Sequence, residues 1–156
     1  MFIMWTQDKS LNLSILLVRV LFIFIIILAL CVPVMVQWYE LVSPDGVGLL
    51  KTSIFWPLSI CLYLSAVCGE VCLYHLHKLL TNIKQGIVFK TENCRHLRYI
   101  SWCCLLVSIP FGIFGFWRYL GFIVAFAAGF FGLVLRVLKN VFVRAVEIQE
   151  ENDYTI

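Results

Sequence analysis

The chain has 156 residues, of which 62% are hydrophobic types and only 13% are Asp, Glu, Lys or Arg, with a net charge of +3. Soluble domains run at roughly 45–50% apolar and about 25% charged residues, so an ordinary soluble domain, a disordered chain and a large extramembrane catalytic domain are all excluded. With 15% aromatics and a mean hydropathy of +0.96, the composition is that of a bilayer protein, and at about 20 residues per helical crossing roughly four or five spans fit.

The first apolar run covers about residues 11–36 and is broken only by Arg19. It is too long for a simple signal peptide, and no small-residue cleavage site closes it. Pro33 is placed to kink its outer end, and Trp38 and Tyr39 suit a membrane interface. The following connection contains Ser43-Pro44-Asp45-Gly46, a turn signal in which proline presets one dihedral and glycine tolerates a left-handed one.

The second span is expected at about 53–79. Ser53 is a candidate cap, Pro57 falls near the first turn, where proline is tolerated, and Glu70 interrupts an otherwise uncharged stretch. The next connection holds Lys78, Lys84, Lys90, Arg95 and Arg98 against Glu92 alone. Such an excess of cations beside apolar spans marks the cytoplasmic side. Gly86 breaks the helix there, and Ile87-Val88-Phe89 is read as lying against the interface.

From Tyr99 to Leu135 the only charge in 37 residues is Arg118. A single helix of that length would be about 55 Å long, nearly twice the ~30 Å hydrocarbon core. The chain must therefore turn back, and Pro110, Gly112, Gly115 and Arg118 mark the place. Spans three and four are expected at about 94–112 and 118–144. The expected architecture is a single all-α membrane domain over residues 1–156: four transmembrane helices in an antiparallel bundle, with both termini and the central connection in the cytoplasm.

Three charges fall inside the spans. Counted from the cytoplasmic ends of their helices, Arg19, Glu70 and Arg136 share a depth of about 12–15 Å. A buried charge there is costly without a partner, so Glu70 is expected to pair with Arg19, Arg136 or both. Snorkelling of the long arginine stems is the alternative, and a proton or ion relay through Glu70 is the functional one. Gly121, Ala125, Ala128, Gly129 and Gly132 fall near one face of span four. Small residues permit close backbone approach, within the molecule or across a homodimer.

The seven cysteines read as buried small hydrophobes. Cys68, Cys72 and His75 are spaced four and three apart, near His77 and Glu70, as ligands of zinc or copper could be. No second helix supplies a completing ligand, so no metal and no other cofactor is expected. No catalytic motif is present, and no basic face alternates with stacking residues as direct nucleic-acid binding requires. The expected protein is non-enzymatic: it binds a cytoplasmic or membrane partner in a regulatory or envelope-sensing role. The alternative is a small transporter, channel or transporter subunit with a polar site around Glu70. Pro33 and Pro110 lie near the outer ends and lend that alternative little support.

Two segments carry a family resemblance: Gly86 to Ile100, with Phe89, Asn93, Leu97 and Arg98, and Val141 to Ile156, with Phe142, Glu150, Glu151 and the closing Thr155-Ile156. They resemble the small bacterial four-span membrane proteins catalogued as domain of unknown function 2975, over roughly residues 10–156. Ala145 and Tyr154 stand where the family often has glycine and leucine. The resemblance implies four helices in a bacterial plasma membrane and no established reaction. It also implies a helix-turn-helix regulator as a partner, since such proteins are often encoded beside one. On physical grounds Thr91 or Asn93 is a candidate cap for span three, and Arg95 and Arg98 are placed to meet lipid phosphates. The acidic tail, Glu147, Glu150, Glu151 and Asp153, is expected to fold back on the basic connection.

Overall fold

The computed structural model describes residues 7–43, 48–50, 52–86 and 91–154. The proposed turn at Pro44-Asp45-Gly46, Ile87-Val88-Phe89, Lys90 and Thr155-Ile156 lie outside the described residues, as do the side chains of Asp153 and Tyr154. Four helices follow one another: α1 Gln7–Val42, α2 Phe55–Lys84, α3 Thr91–Phe114 and α4 Leu120–Tyr154. Each is long and apolar enough to cross a membrane. The helices take in most of each apolar run; α2 and α4 start two residues inside the expected limits, and the other ends reach further, because an α-helix satisfies its own backbone and need not end at the lipid boundary. α4 is the largest extension, continuing from 144 to Tyr154.

Among the described residues, consecutive helices pack directly against one another and no other helix pair makes close backbone contact. Cross-contacts run antiparallel throughout: Gly69 meets Ile25 between α2 and α1, His75 meets His96 between α2 and α3, and Ser101 meets Gly132 between α3 and α4. The helices thus form an antiparallel row with α2 and α3 in the middle. α1 and α4 converge toward the end that carries the α1–α2 and α3–α4 connections, around a cavity lined by Val36, Leu58, Phe114 and Gly121 among others. Flank positions such as Leu30 and Phe126 are more than three-quarters exposed. In water that much bare apolar surface would drive association, whereas a bilayer solvates it.

The tightest packing joins α3 to α4. A methyl group on Gly121 would come within 2.7 Å of Gly115 N and 2.8 Å of Phe111 O, and one on Gly132 within 2.9 Å of Leu105 Cγ. Gly129 faces Ser108, and Ala125 faces Gly112. This part of the small-residue stripe is occupied inside the molecule. At Gly121 and Gly132 the neighbouring chain leaves no room for a Cβ, whereas at Gly129 a Cβ would make ordinary contact with Ser108.

Two of the expected caps differ. The residue preceding α2 is Ile54, without a side-chain cap, and Ser53 accepts only a long bond of 3.4 Å from Phe55 N–H while donating to Glu40 Oε1 at 2.7 Å. Asn93 lies within the first turn of α3 and is turned toward α2, where its Oδ1 accepts a bond from Asn82 Nδ2 at 2.8 Å.

Candidate functional site

Polar side chains collect at both ends of the helix row. At the end that carries the α1–α2 and α3–α4 connections, Arg118 is buried and donates from Nη2 to Ser43 O at 2.8 Å and from Nη1 to Trp117 O at 3.3 Å. Trp117 Nε1 donates to Thr52 Oγ1 at 2.9 Å, and the backbone N–H groups of Leu49 and Leu50 both reach Phe116 O. A methyl on Gly48 would overlap Trp117 O, so only glycine allows the first connection to lie on the α3–α4 turn. Arg118, read from the sequence as a turn marker, thus becomes the tie between the α1–α2 and α3–α4 connections.

At the opposite end, which carries the α2–α3 connection, three arrangements stand side by side. Between α2 and α3, His75 Nδ1 and His96 Nδ1 are 2.9 Å apart, and Tyr99 stacks on His75 with ring centroids 4.6 Å apart. One nitrogen must donate and the other accept at that contact, so the pair carries one shared proton. A turn further toward the end of the row, Asn82 and Asn93 make their bond, with Asn93 among the most buried side chains of the protein. Between α3 and α4, Arg98, Ser101, Trp102, Arg136 and Lys139 line a cavity of about 240 Å³. The Arg136 guanidinium lies 5.0 Å from the centre of the Trp102 ring, a cation–π distance.

The expected charge layer is not formed. Both carboxylate oxygens of Glu70 are buried without a hydrogen-bond partner, and Arg19 and Arg136 are exposed. Helix register explains the difference. Arg19 shares a small cavity with Leu73, Tyr74 and His77, which places it about five residues, or roughly 7 Å, from the level of Glu70. Arg136 is held over Trp102 on α3, and α4 does not pack on α2. Equal counts from estimated helix ends did not reveal this, because α1 and α4 overrun those ends by different lengths.

Cys68, Cys72 and His75 do not gather into a group of three or more metal-ligating side chains among the described residues; His75 turns to His96 instead. The tail does not reverse direction. It continues α4 as helix, with Val146 buried and Glu147, Ile148, Gln149, Glu150 and Glu151 exposed. Glu147 pairs with Arg144 one turn back at 3.4 Å. Of the remaining motif positions, Leu97 is buried, Phe142 half-buried, and Arg95 and Arg98 exposed. Sequence reading passed over His96, Asn82 and Trp102. Their only advance signal was a polar or aromatic residue at the end of a span, which a bilayer interface also explains.

The sequence profile of the family described as "Protein of unknown function (DUF2975)" matches residues 44–156. The chain belongs to this family. The match takes in α2, α3, α4 and the connections between them, so the histidine pair, the asparagine pair and the cationic cavity all lie in the family region, while Arg19 lies outside it. The chain is also 27% identical over 146 residues to the uncharacterized membrane protein YoaS of Bacillus subtilis (strain 168), covering 83% of this chain and 88% of that protein. No solved structure matches. This family member is accordingly a multi-pass membrane protein.

Proposed function

We propose that the protein is a non-enzymatic component of the bacterial plasma membrane that recruits a cytoplasmic partner in a regulatory or envelope-sensing role. The observation that carries this reading is the end of α4 beyond Val146. Val146 is the last buried residue of the helix among those whose side chains are described, and from Glu147 to Tyr154 the helix continues for about 12 Å. This arm presents Glu147 and Glu150 together with Ile148, which is 59% exposed. An exposed apolar side chain among acids on a preformed helix suits docking into a groove with a basic rim. The excess of cations around Lys84 and Arg95 supports a cytoplasmic location for this end.

The helix-turn-helix regulators suggested by the family resemblance are the first partner to test. Full-length protein and a form truncated after Val146 are each co-expressed with a helix-turn-helix regulator of the kind the family resemblance implies and purified in mild detergent. Co-purification with the full-length protein, lost on truncation, is the expected result. Absence of the regulator from both preparations, or its retention by the truncated form, defeats the reading.

Glu70 favours a second reading, a small transporter or channel, because its oxygens are buried yet satisfied by no protein group among the described residues. Proteoliposomes that show flux abolished by Glu70→Gln would establish that reading in place of the first.

A further inference from the structure

We propose that the cavity between α3 and α4 binds the phosphodiester headgroup of an anionic phospholipid. Three cations, Arg98, Arg136 and Lys139, converge on one cavity with the indole of Trp102 and the hydroxyl of Ser101. No acidic residue lines it, and among the described residues none of the three cations has a carboxylate within 4.0 Å; the ion pair recorded there is Arg144–Glu147. Ser101 donates its proton to Gly132 O at 2.7 Å, which holds the two helices together behind the cavity. Trp102 orients the Arg136 guanidinium from one face without neutralising it. The assembled site therefore gathers three cations around one cavity without a facing carboxylate, with Arg136 oriented by Trp102.

Its level in the membrane selects the anion. From Arg98 to Phe114, where α3 ends, is about 24 Å at helical rise, most of the ~30 Å hydrocarbon thickness. Arg98 thus marks one boundary of the apolar layer, with Trp102 about a turn inside it. Arg98, Trp102 and Arg136 are all exposed in the helix row, so the cavity opens sideways to the bilayer. A headgroup phosphate occupies that depth and carries its own acyl chains along the neighbouring apolar surface. Basic pockets between transmembrane helices on the cation-rich side bind anionic headgroups, and guanidinium groups match phosphate oxygens with paired donors. In a zwitterionic lipid the choline offsets the phosphate charge, so discrimination between the two lipids is expected.

The test uses the full chain in mild non-ionic detergent, with bound lipid counted by native mass spectrometry during titration with short-chain phosphatidylglycerol, phosphatidylcholine or inorganic phosphate. Phosphatidylglycerol is expected to bind in preference to phosphatidylcholine. The double variant Arg136→Gln/Lys139→Gln is expected to weaken it by about tenfold or more, from the contribution of each basic residue near a membrane surface. Lys84→Gln/Arg95→Gln removes the same charge from the same end of the molecule but outside the cavity, and less than about a twofold change is expected. Should the first double variant fail to fold, Arg98→Gln carries the same comparison. Equal binding of the two lipids, or equal losses in both double variants, would overturn the site. Competition by inorganic phosphate at concentrations comparable to the lipid would reassign it to a soluble anion and overturn the lipid assignment.

Discussion

Ser101 on α3 donates its hydroxyl proton to the carbonyl oxygen of Gly132 on α4 at 2.7 Å, with both residues buried. A side chain as short as serine reaches the backbone of another helix only where the two helices nearly touch. Gly132 allows that approach because its missing Cβ would lie 2.9 Å from Leu105 Cγ and 3.3 Å from Cys104 Cβ. Gly132→Leu is therefore expected to destabilise the fold by about 1–3 kcal/mol through overpacking, measured by thermal unfolding in detergent. Ser101→Ala leaves the helix spacing intact and is expected to cost less, about 0.6 kcal/mol, the mean for interhelical hydrogen bonds in membranes.

Gly121 is a sharper case, since its neighbours are backbone atoms, Gly115 N and Phe111 O. Backbone cannot rotate away as Leu105 can. Gly121→Ala is expected to lower the unfolding midpoint even though only one methyl is added, whereas Ala127→Gly, on the exposed side of α4, should show only the helix-propensity loss of about 1 kcal/mol.

Asn93 and Asn82 form the polar lock beside the α2–α3 connection. Replacing Asn93 with Leu removes that acceptor from Asn82 and puts a larger apolar side chain where almost no free surface exists. A loss of about 1–3 kcal/mol is expected, with the double variant Asn82→Leu/Asn93→Leu less destabilised than the two single changes added together. Strict additivity in this cycle would show that the two side chains do not interact.

Glu70 makes the opposite prediction. Its carboxylate has no hydrogen-bond partner to lose, so Glu70→Gln is expected to leave the unfolding midpoint unchanged or to raise it, because a neutral amide is less costly to bury than a charge. A marked loss of stability on this substitution would mean that the carboxylate is paired in the membrane.

Arg118 ties Ser43 to the α3–α4 turn. Arg118→Ala is expected to cost about 2 kcal/mol, the scale for hydrogen bonds from a charged donor, and to loosen the α1–α2 and α3–α4 connections, visible as faster amide exchange at Leu49 and Leu50. Arg118→Lys restores the charge but not the two-armed reach, so only part of that loss should be recovered.

The apolar runs by themselves determined four membrane-crossing helices, their order and their approximate limits, because a chain in lipid must satisfy its backbone within each segment and the length of a crossing is set by the bilayer. They also made the glycine face of α4 legible, since spacing along one helix records which residues share a side. Partnership between helices was decided only in the tertiary structure. Rotation and axial register depend on how side chains of separate segments interlock, and a change of one turn moves a charge by about 5 Å without altering its surroundings in the sequence. That is why Glu70 stands apart from Arg19 and Arg136, why His75 meets His96 and not Cys72 or Cys68, and why Arg98, Arg136 and Lys139, far apart along the chain, face one cavity.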